Sequence, residues 1–141
     1  MDTMSLDVFR LLFDFGLVIL IWLVQLIIYP SFRYIDRAKL GHWHARYTVL
    51  ISSVVVPLML GQALVVGLQV WQRGGALDWM SAALLGLVWL VTFSRAVPLH
   101  DRIARHAEPD SHLEALVRWN WARTVLWTVI FIAGWWSAGG R

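Results

Sequence analysis

The sequence predicts an all-α integral membrane protein, a bundle of four transmembrane helices that alternate up-down-up-down. Composition is the first indication: 59% of the 141 residues are hydrophobic and 15% are charged, whereas soluble domains are about half apolar and about a quarter charged. The second is a mean hydropathy of +0.62. The third is a set of four apolar runs, each close to the roughly 20 residues that a helix needs to cross a bilayer.

These runs define one transmembrane domain, residues 1–141, with no internal repeat or linker that would divide it. We predict helices over about residues 8–29, 44–71, 79–100 and 113–136. The first run follows a segment without Lys or Arg and ends in Tyr29-Pro30 rather than at a small-residue cleavage site, so we expect a permanent helix and not a secretory signal. Pro57 inside the second helix and Pro98 near the end of the third each remove a backbone donor and can kink their helices.

The distribution of basic residues predicts the orientation of the helices. Nine of the 12 Lys and Arg residues lie where the first and third helices end and the second and fourth begin: Arg33, Arg37, Lys39, Arg46, Arg95, Arg102, Arg105, Arg118 and Arg123. The positive-inside rule makes that end cytoplasmic. We therefore expect a multi-pass protein of the cell inner (plasma) membrane with both termini periplasmic or extracellular.

Composition also narrows the chemistry and the partners. The absence of cysteine excludes disulfides, thiol redox chemistry and cysteine-ligated zinc or iron–sulfur centres. The formal charge of +3 reflects basic loops and includes no nucleic-acid-binding arm, so the expected partner is the lipid bilayer with its anionic headgroups. The sequence leaves open whether the protein is a homo-oligomer or part of a larger membrane complex.

Polar side chains recur on one face of each predicted helix, mostly toward the cytoplasmic end. In the fourth helix, Asn120, Arg123, Thr124 and Trp127 fall at i, i+3, i+4 and i+7 and form one stripe. The other helices contribute five more such groups: Gln25, Tyr29, His44, Thr92 and His100. Antiparallel packing places most of these groups at similar depth, and polar groups inside a span usually face the bundle interior or a wet cavity. We predict a pocket with an apolar floor, suited to a lipophilic molecule with a polar head.

An enzyme is the first of two hypotheses for this pocket. His44 or His100 would act as general base, because an imidazole titrates near neutral pH, and Arg123 with Asn120 would stabilise a phenolate or enolate oxygen. The residues assigned to substrate binding are Tyr29, Gln25, Asn120, Thr124, Trp127 and Thr92. The cofactor stays open: none, or a metal or haem held by His44 and His100, which lie on separate helices without a motif spacing.

The second hypothesis is a non-catalytic membrane subunit or a lipid- or ligand-binding protein. The same polar groups would then form a hydrogen-bond network that locks the helices together. Interfacial anchoring by itself explains Arg118, Trp119 and Trp121. Asp14, toward the outer end of the first helix, is predicted to pair with Arg10 four residues earlier.

Several short motifs resemble a known family. The stretch TFSRAVPLHDRIA, followed by LVRWNWARTVLW, is similar to the C-terminal half of the anthrone-oxygenase-like small membrane proteins, which have a VP-x-N-x-x-L segment and then a W-x-x-x-N-x-x-R-T segment. A nearer likeness is to a largely uncharacterised bacterial branch of four-helix proteins with YP, H, PLH and NW-x-RT elements. Those elements here are Tyr29-Pro30, His44, Pro98-Leu99-His100 and Asn120-Trp121-x-Arg123-Thr124. The resemblance implies a four-helix bundle and oxygenation of a polycyclic phenolic or quinone-like molecule without an established cofactor.

Overall fold

The computed structural model describes residues 3–105 and 109–139, and this part of the chain forms four helical rods and no strand. The first rod joins α1 (Thr3–Leu23), a π-helical segment (Val24–Ile28), the single turn α2 (Tyr29–Ser31) and a 3-10 turn (Phe32–Tyr34). The second rod is α3 (Arg37–Gln72). The third joins α4 (Ala76–Val91), a second π-helical segment (Thr92–Ala96) and α5 (Val97–Ala104), and the fourth is α6 (Pro109–Gly139). The all-helical prediction is confirmed for these residues.

All four rods begin earlier than the sequence predicted, at Thr3, Arg37, Ala76 and Pro109, and the difference is largest for the second. Asp36 is the N-cap of α3, and its side chain accepts the N–H of Ala38 at 2.9 Å, which satisfies one of the free donors of the first turn. Because α3 starts at Arg37, His44 does not open the second helix but lies about two turns inside it. The fourth rod likewise starts at Pro109 rather than at residue 113.

The rods form a ring in which each packs against the next, and the fourth also packs against the first. Hydrogen bonds join the first rod to the second and to the fourth. In both cases, residues of increasing number in one rod bond to residues of decreasing number in the other, so the two rods run antiparallel. The pairs that show this are Asp7–Arg73, Asp14–Gln62, Arg10–Ile130 and Gln25–Asn120. The bonds His44–His100 and Arg73–Asp78 show the same for the second and third rods, so the four rods alternate in direction.

Three of these rods are long and apolar enough to cross a membrane: Met4–Tyr34, Arg37–Gln72 and Ala76–Ala104. The fourth, α6, has 31 residues, but Arg118, Asn120 and Arg123 lower the hydropathy of its first half. By length and composition, the described residues thus supply three of the four predicted spans.

The rods place polar groups inside the bundle and apolar groups on its surface. The buried polar side chains of the described residues are Arg10, Asp14, Gln25, His44, Gln62, Gln69, Asp78, Ser81, Asn120, Arg123 and Thr124. Large apolar side chains are exposed on every rod, for example Leu12, Leu64, Phe93 and Trp135. Soluble domains bury such side chains by preference, whereas an extended apolar exterior fits contact with lipid.

Pro30 and Pro98 each follow a π-helical segment, Val24–Ile28 and Thr92–Ala96 respectively. A proline has no backbone N–H, and its ring crowds the carbonyl four residues earlier, which in both cases lies inside the π segment. A widened turn relieves that contact. The predicted disturbance at Pro98 is thus a widened turn, whereas Pro57 lies within a continuous α-helical stretch of α3.

Candidate functional site

Three aromatic side chains from three rods form a hydrogen-bonded chain, the Tyr29–His100–His44 chain. The Tyr29 hydroxyl lies 3.0 Å from His100 Nε2, and His100 Nδ1 lies 2.8 Å from His44 Nε2. The two imidazole rings are stacked, with centroids 4.9 Å apart. His44 Nδ1 is buried and has no hydrogen-bond partner in the described part of the chain. Each bond of the chain holds one proton, so moving the proton of one bond changes which nitrogen must donate in the next.

Aromatic neighbours fix the orientation of His44. The Phe32 ring meets the imidazole edge-on at 5.0 Å and meets the Tyr47 ring edge-on at 5.1 Å. The hydroxyl of Thr48 donates to the backbone carbonyl of His44 at 2.8 Å, one turn along α3. These contacts come from the first rod and from α3, so the imidazole is held on two sides before His100 reaches it from α5.

Gln25, Asn120 and Arg123 form a second chain, which joins the first rod to α6. Asn120 Nδ2 donates to Gln25 Oε1 at 2.8 Å, and Arg123 Nη1 donates to Asn120 Oδ1 at 3.2 Å. The guanidinium lies over the Trp127 ring at 5.0 Å and beside the Tyr29 hydroxyl, so it connects the two chains. Arg123 is only 6% exposed, yet within residues 3–105 and 109–139 no carboxylate pairs with it and its Nε has no partner.

A cavity of about 550 Å³ lies between α3 and the third rod, with α1 and α6 behind it. Its wall is mostly apolar, with side chains such as Leu17, Val55 and Met59. Five apolar side chains that border the cavity are themselves exposed on the surface of the bundle: Val49, Val56, Leu60, Phe93 and Val97. The cavity therefore opens sideways, onto the apolar exterior between the second and third rods.

The structure divides the predicted site residues into two groups. Those that border the cavity are Tyr29, Thr92, His100, Arg123 and Trp127. Those that do not border it are Gln25, His44, Asn120 and Thr124. Of these, His44 bonds to His100 and Asn120 bonds to Arg123. Direct substrate contact by Gln25, Asn120 and Thr124 is therefore not what the geometry favours.

Two predicted threonines bond within their own helices. The Thr124 hydroxyl donates to the Asn120 carbonyl at 2.9 Å, and the Thr92 hydroxyl donates to the Val88 carbonyl at 2.7 Å. Such bonds are a common way for threonine to satisfy its hydroxyl inside a helix. Thr92 thus borders the cavity with its hydroxyl proton already engaged.

The facing nitrogens of His44 and His100 are arranged as a hydrogen-bonded pair. They point at each other at 2.8 Å, whereas a metal between two such nitrogens would need about 4 Å at the usual bond length of about 2.0–2.1 Å. The described residues also contain no group of three or more His, Asp or Glu side chains that could hold a metal ion. The predicted metal or haem site at His44 and His100 is therefore not supported by the ligand geometry.

A second polar cluster lies toward the opposite end of the bundle, and sequence reasoning identified only one pair of it. We call it the outer network; its members are Asp7, Arg10, Asp14, Gln62, Gln69, Arg73 and Asp78. Arg10 Nε donates to Asp14 Oδ2 at 2.5 Å, as the sequence predicted, and Arg10 Nη1 donates to Gln69 Oε1 at 2.8 Å. Gln62 Nε2 donates to Asp14 Oδ1 at 2.6 Å. Arg73 bridges Asp7 and Asp78 at 2.7 and 3.0 Å.

Trp127 joins the outer network to the cavity. Its indole N–H donates to Gln62 Oε1 at 3.1 Å, while its ring lies under the Arg123 guanidinium. The signal that could have revealed the network is the spacing of Gln62 and Gln69, which are seven residues apart and therefore share one face of an otherwise apolar stretch.

Comparison of the chain with protein-family models, with curated proteins and with solved structures found no match. Function is therefore inferred from the cavity and from the two chains at its polar end. Chemically, this end can accept a proton at the Tyr29–His100–His44 chain and stabilise a negative charge at Arg123.

Proposed function

We propose that the protein binds a lipophilic aromatic or quinone-like molecule in the cavity and acts on it as a membrane oxygenase or oxidoreductase. One observation carries this proposal: a mostly apolar cavity is bordered at one end by a phenol, an imidazole and a guanidinium, those of Tyr29, His100 and Arg123. Apolar walls favour a lipophilic body. The three polar groups suit a substrate oxygen that gains negative charge during the reaction.

The proposal includes a membrane bundle of four spans, with α6 as the fourth. At a rise of about 1.5 Å per residue, a helix of this length is about 46 Å long, more than the roughly 30 Å of a hydrocarbon core. From residue 120 onward, the strongly polar groups of α6 are turned inward: Asn120 is 1% exposed and Arg123 is 6% exposed. The exposed side chains of this part of the helix are apolar, among them Val125, Val129 and Ile132. A helix with this distribution can lie in lipid because its polar groups contact protein.

The basic residues from which the orientation was predicted lie mostly at one end of the four rods. The ends that contain Tyr29, His44 and His100 would be cytoplasmic, in the inner or plasma membrane, with both termini periplasmic or extracellular. The lipid bilayer and a lipophilic small molecule are the proposed partners. A test of the orientation is to place single cysteines at Ser5 and at Arg102 and to label intact cells with a membrane-impermeant maleimide, which should modify only the first.

The step that the site supports best is removal of a proton from a substrate hydroxyl. The substrate gives its proton to the Tyr29 oxygen, Tyr29 passes its own proton to His100 Nε2, and His100 passes its Nδ1 proton to His44 Nε2. The proton is then held by His44, and the electron pair stays on the substrate oxygen beside Arg123. Tyr29 and Arg123 touch the substrate in this scheme, whereas His44 acts through His100.

An oxyanion of this kind is electron-rich and can react with molecular oxygen. The resemblance to the anthrone-oxygenase-like proteins implies a polycyclic substrate of that class. In the simplest case, one anthrone and one O₂ give one anthraquinone and one water, so no protein group is oxidised or reduced in the net reaction. The enol form of anthrone has the hydroxyl that the Tyr29–His100–His44 chain would deprotonate.

Oxygen uptake by the protein in lipid nanodiscs tests the proposal, with anthrone and with the reduced quinone menadiol as substrates. The rate above protein-free autoxidation should fall by about 10²–10⁴-fold in Tyr29→Phe, because the acid–base group is lost. Arg95→Met is the matched control, since Arg95 also lies over a tryptophan ring, that of Trp119 at 4.7 Å, but does not border the cavity. Unchanged turnover in both His100→Ala and Arg123→Met would sink the enzyme proposal.

A second candidate is the non-catalytic membrane subunit or ligand-binding protein. It is favoured by the fact that the Tyr29–His100–His44 chain ties three rods and the Gln25–Asn120–Arg123 chain ties two. If these bonds only hold helices together, substitutions at His100 and Asn120 should lower the unfolding temperature and leave ligand affinity unchanged. Thermal unfolding with and without a bound aromatic ligand separates the two candidates.

A further inference from the structure

We infer that the cavity takes an anionic amphiphile: a lipophilic body with one carboxylate or phenolate group that binds Arg123. This inference rests on the proposed function and names the charge of its substrate class. It depends on three features of the site: a buried cation without a counter-ion, an apolar cavity beside that cation, and an opening onto the lipid-facing surface.

The first feature is the charge of Arg123. A buried cation is costly unless an anion pairs with it. Four other arginines in the described ranges form ion pairs, all with aspartates: Arg10–Asp14, Arg37–Asp110, Arg73–Asp7, Arg73–Asp78 and Arg105–Asp101. Arg123 is nearly as buried as Arg10, at 6% against 2% exposed, but only neutral groups lie beside its charge: the Asn120 amide oxygen, the Tyr29 hydroxyl and the Trp127 ring. A bound anion would supply the missing counter-charge.

The second feature is the geometry of the guanidinium. Its Nη1 is bonded to Asn120, and its Nε is buried without a partner in the described part of the chain. Nε belongs to the lateral edge of the planar group, and a carboxylate characteristically accepts two parallel N–H bonds from such an edge. The group also borders the cavity. The structure therefore holds a buried donor edge without a partner on a residue that borders the cavity.

The charge balance around the cavity limits the ligand to one negative charge. Among the described residues that border the cavity, Arg123 is the sole cation and Asp101 is the sole carboxylate. Asp101 is paired already, because it accepts a bond from Arg105 at 3.0 Å. A phosphate or other dianion would find no second cation, so a carboxylate or a phenolate fits better than a phospholipid headgroup.

The test is ligand binding to the full chain in phosphatidylcholine nanodiscs, which carry no net charge. The probes are anthracene-2-carboxylate and its neutral counterpart anthracene-2-methanol. Binding is measured by the polarisation of each probe's own fluorescence, and the signal from partition into empty discs is subtracted. We expect the carboxylate to bind about 10–100-fold more tightly, as a charge-assisted pair with a buried guanidinium provides. Dodecanoate and dodecanol form a second pair of probes, which tells an acyl chain from a ring system.

Arg123→Met should bring the ratio of the two affinities to about 1, and Arg95→Met should leave it unchanged. Equal affinities of the wild-type protein for the two probes would overturn the inference. Because this result needs no variant, the inference can be tested even if Arg123→Met does not fold. A preference for carboxylate that survives Arg123→Met would overturn it as well. If the protein binds the carboxylate but shows no oxygen uptake with anthrone, the enzyme proposal is contradicted and the ligand class stands. If oxygen uptake occurs but the carboxylate is not preferred, the ligand class is contradicted and the enzyme proposal stands.

Discussion

The outer network and the cavity end contain the same kinds of groups but differ in how their charges are paired. In the outer network, each arginine faces an aspartate, and Arg10 alone makes three hydrogen bonds, to Asp14, Gln69 and the Ile130 carbonyl. At the cavity end, Arg123 faces no carboxylate of the described residues. Each region has a buried arginine Nε without a partner in the described residues, that of Arg73 in the outer network and that of Arg123 at the cavity end. The difference suggests a criterion for polar groups inside one bundle: charges that are paired within the protein hold helices together, whereas an unpaired charge beside a cavity is a candidate for ligand binding.

A network whose charges are paired stabilises the fold, whereas an unpaired buried cation leaves its charge available to another anion. The outer network also lies against packed side chains, whereas the other end borders about 550 Å³ of space. The same type of substitution should therefore have different consequences in the two regions.

The largest expected effect is that of Arg10→Met. Removing the cation leaves Asp14 buried with Gln62 as its remaining partner, which should lower the free energy of unfolding by about 3–5 kcal/mol. The measurement is unfolding in mixed detergent micelles. Arg123→Met is the matched variant, because it removes a buried cation that has no carboxylate; its free energy of unfolding should change by at most about 1 kcal/mol. Equal losses in the two variants would contradict the comparison.

Gly134→Ala tests how tightly the outer network is enclosed. A Cβ at this position would lie 2.9 Å from Asp14 Oδ2 and 3.4 Å from Arg10 Nε, so the ion pair or α6 must shift. We expect a loss of about 1–3 kcal/mol in the free energy of unfolding. Gly86→Ala is the control, since a Cβ there meets nothing within 4 Å. If both variants behaved alike, α6 would not approach the network as described.

Trp127→Phe sharpens the comparison at the point where the two regions meet. The variant loses the N–H that donates to Gln62 Oε1 but keeps an aromatic ring in the cavity wall, so the free energy of unfolding should fall by about 1 kcal/mol. Phenylalanine attracts a cation less strongly than tryptophan does, so the ring beneath Arg123 should alter the affinity for anthracene-2-carboxylate by only about 2–5-fold. Calorimetric unfolding and the binding assay on one preparation provide both values; a loss of binding with full stability would assign Trp127 to the site alone.

The smallest expected effect is that of Thr92→Val. Although Thr92 borders the cavity, its hydroxyl is bonded to the Val88 carbonyl within the helix. Ligand affinity should change by less than about 2-fold and the free energy of unfolding by less than about 0.5 kcal/mol. A large loss of affinity would show that the hydroxyl leaves its helix to bind the ligand. Val97→Thr, at the exposed rim of the cavity, is a suitable polar control.

The sequence could predict those features that depend on distance along one helix. The apolar runs predicted the helices, and the stripe from Asn120 to Trp127 predicted an inward polar face. Arg10 and Asp14, four residues apart, predicted their ion pair. The start of α3 was misplaced because its first turns are polar, and the signal for the true start was Asp36, a favourable N-cap residue.

Features that depend on the rotation of one helix against another could not be predicted in this way. Whether Gln62 meets Asp14 or the cavity depends on how α3 is turned against α1, and the sequence of either helix alone does not determine this. The same holds for Tyr29 and His100, which follow widened turns that change the rotation of all later residues relative to a regular α-helix. The outer network and the division of the site residues into bordering and supporting groups came from the packing.

If the protein binds a lipophilic ligand in the membrane as proposed, the sideways opening of the cavity means that the bilayer itself takes part in selecting the ligand. A molecule that enters between α3 and the third rod must first dissolve in the membrane, so its concentration at the opening depends on its partition coefficient rather than on its concentration in water. Apparent affinities referred to the aqueous phase should then scale with the lipid-to-protein ratio, while those expressed as a mole fraction of lipid should stay constant. A lipophilic product of the proposed reaction would leave by the same route and remain in the membrane.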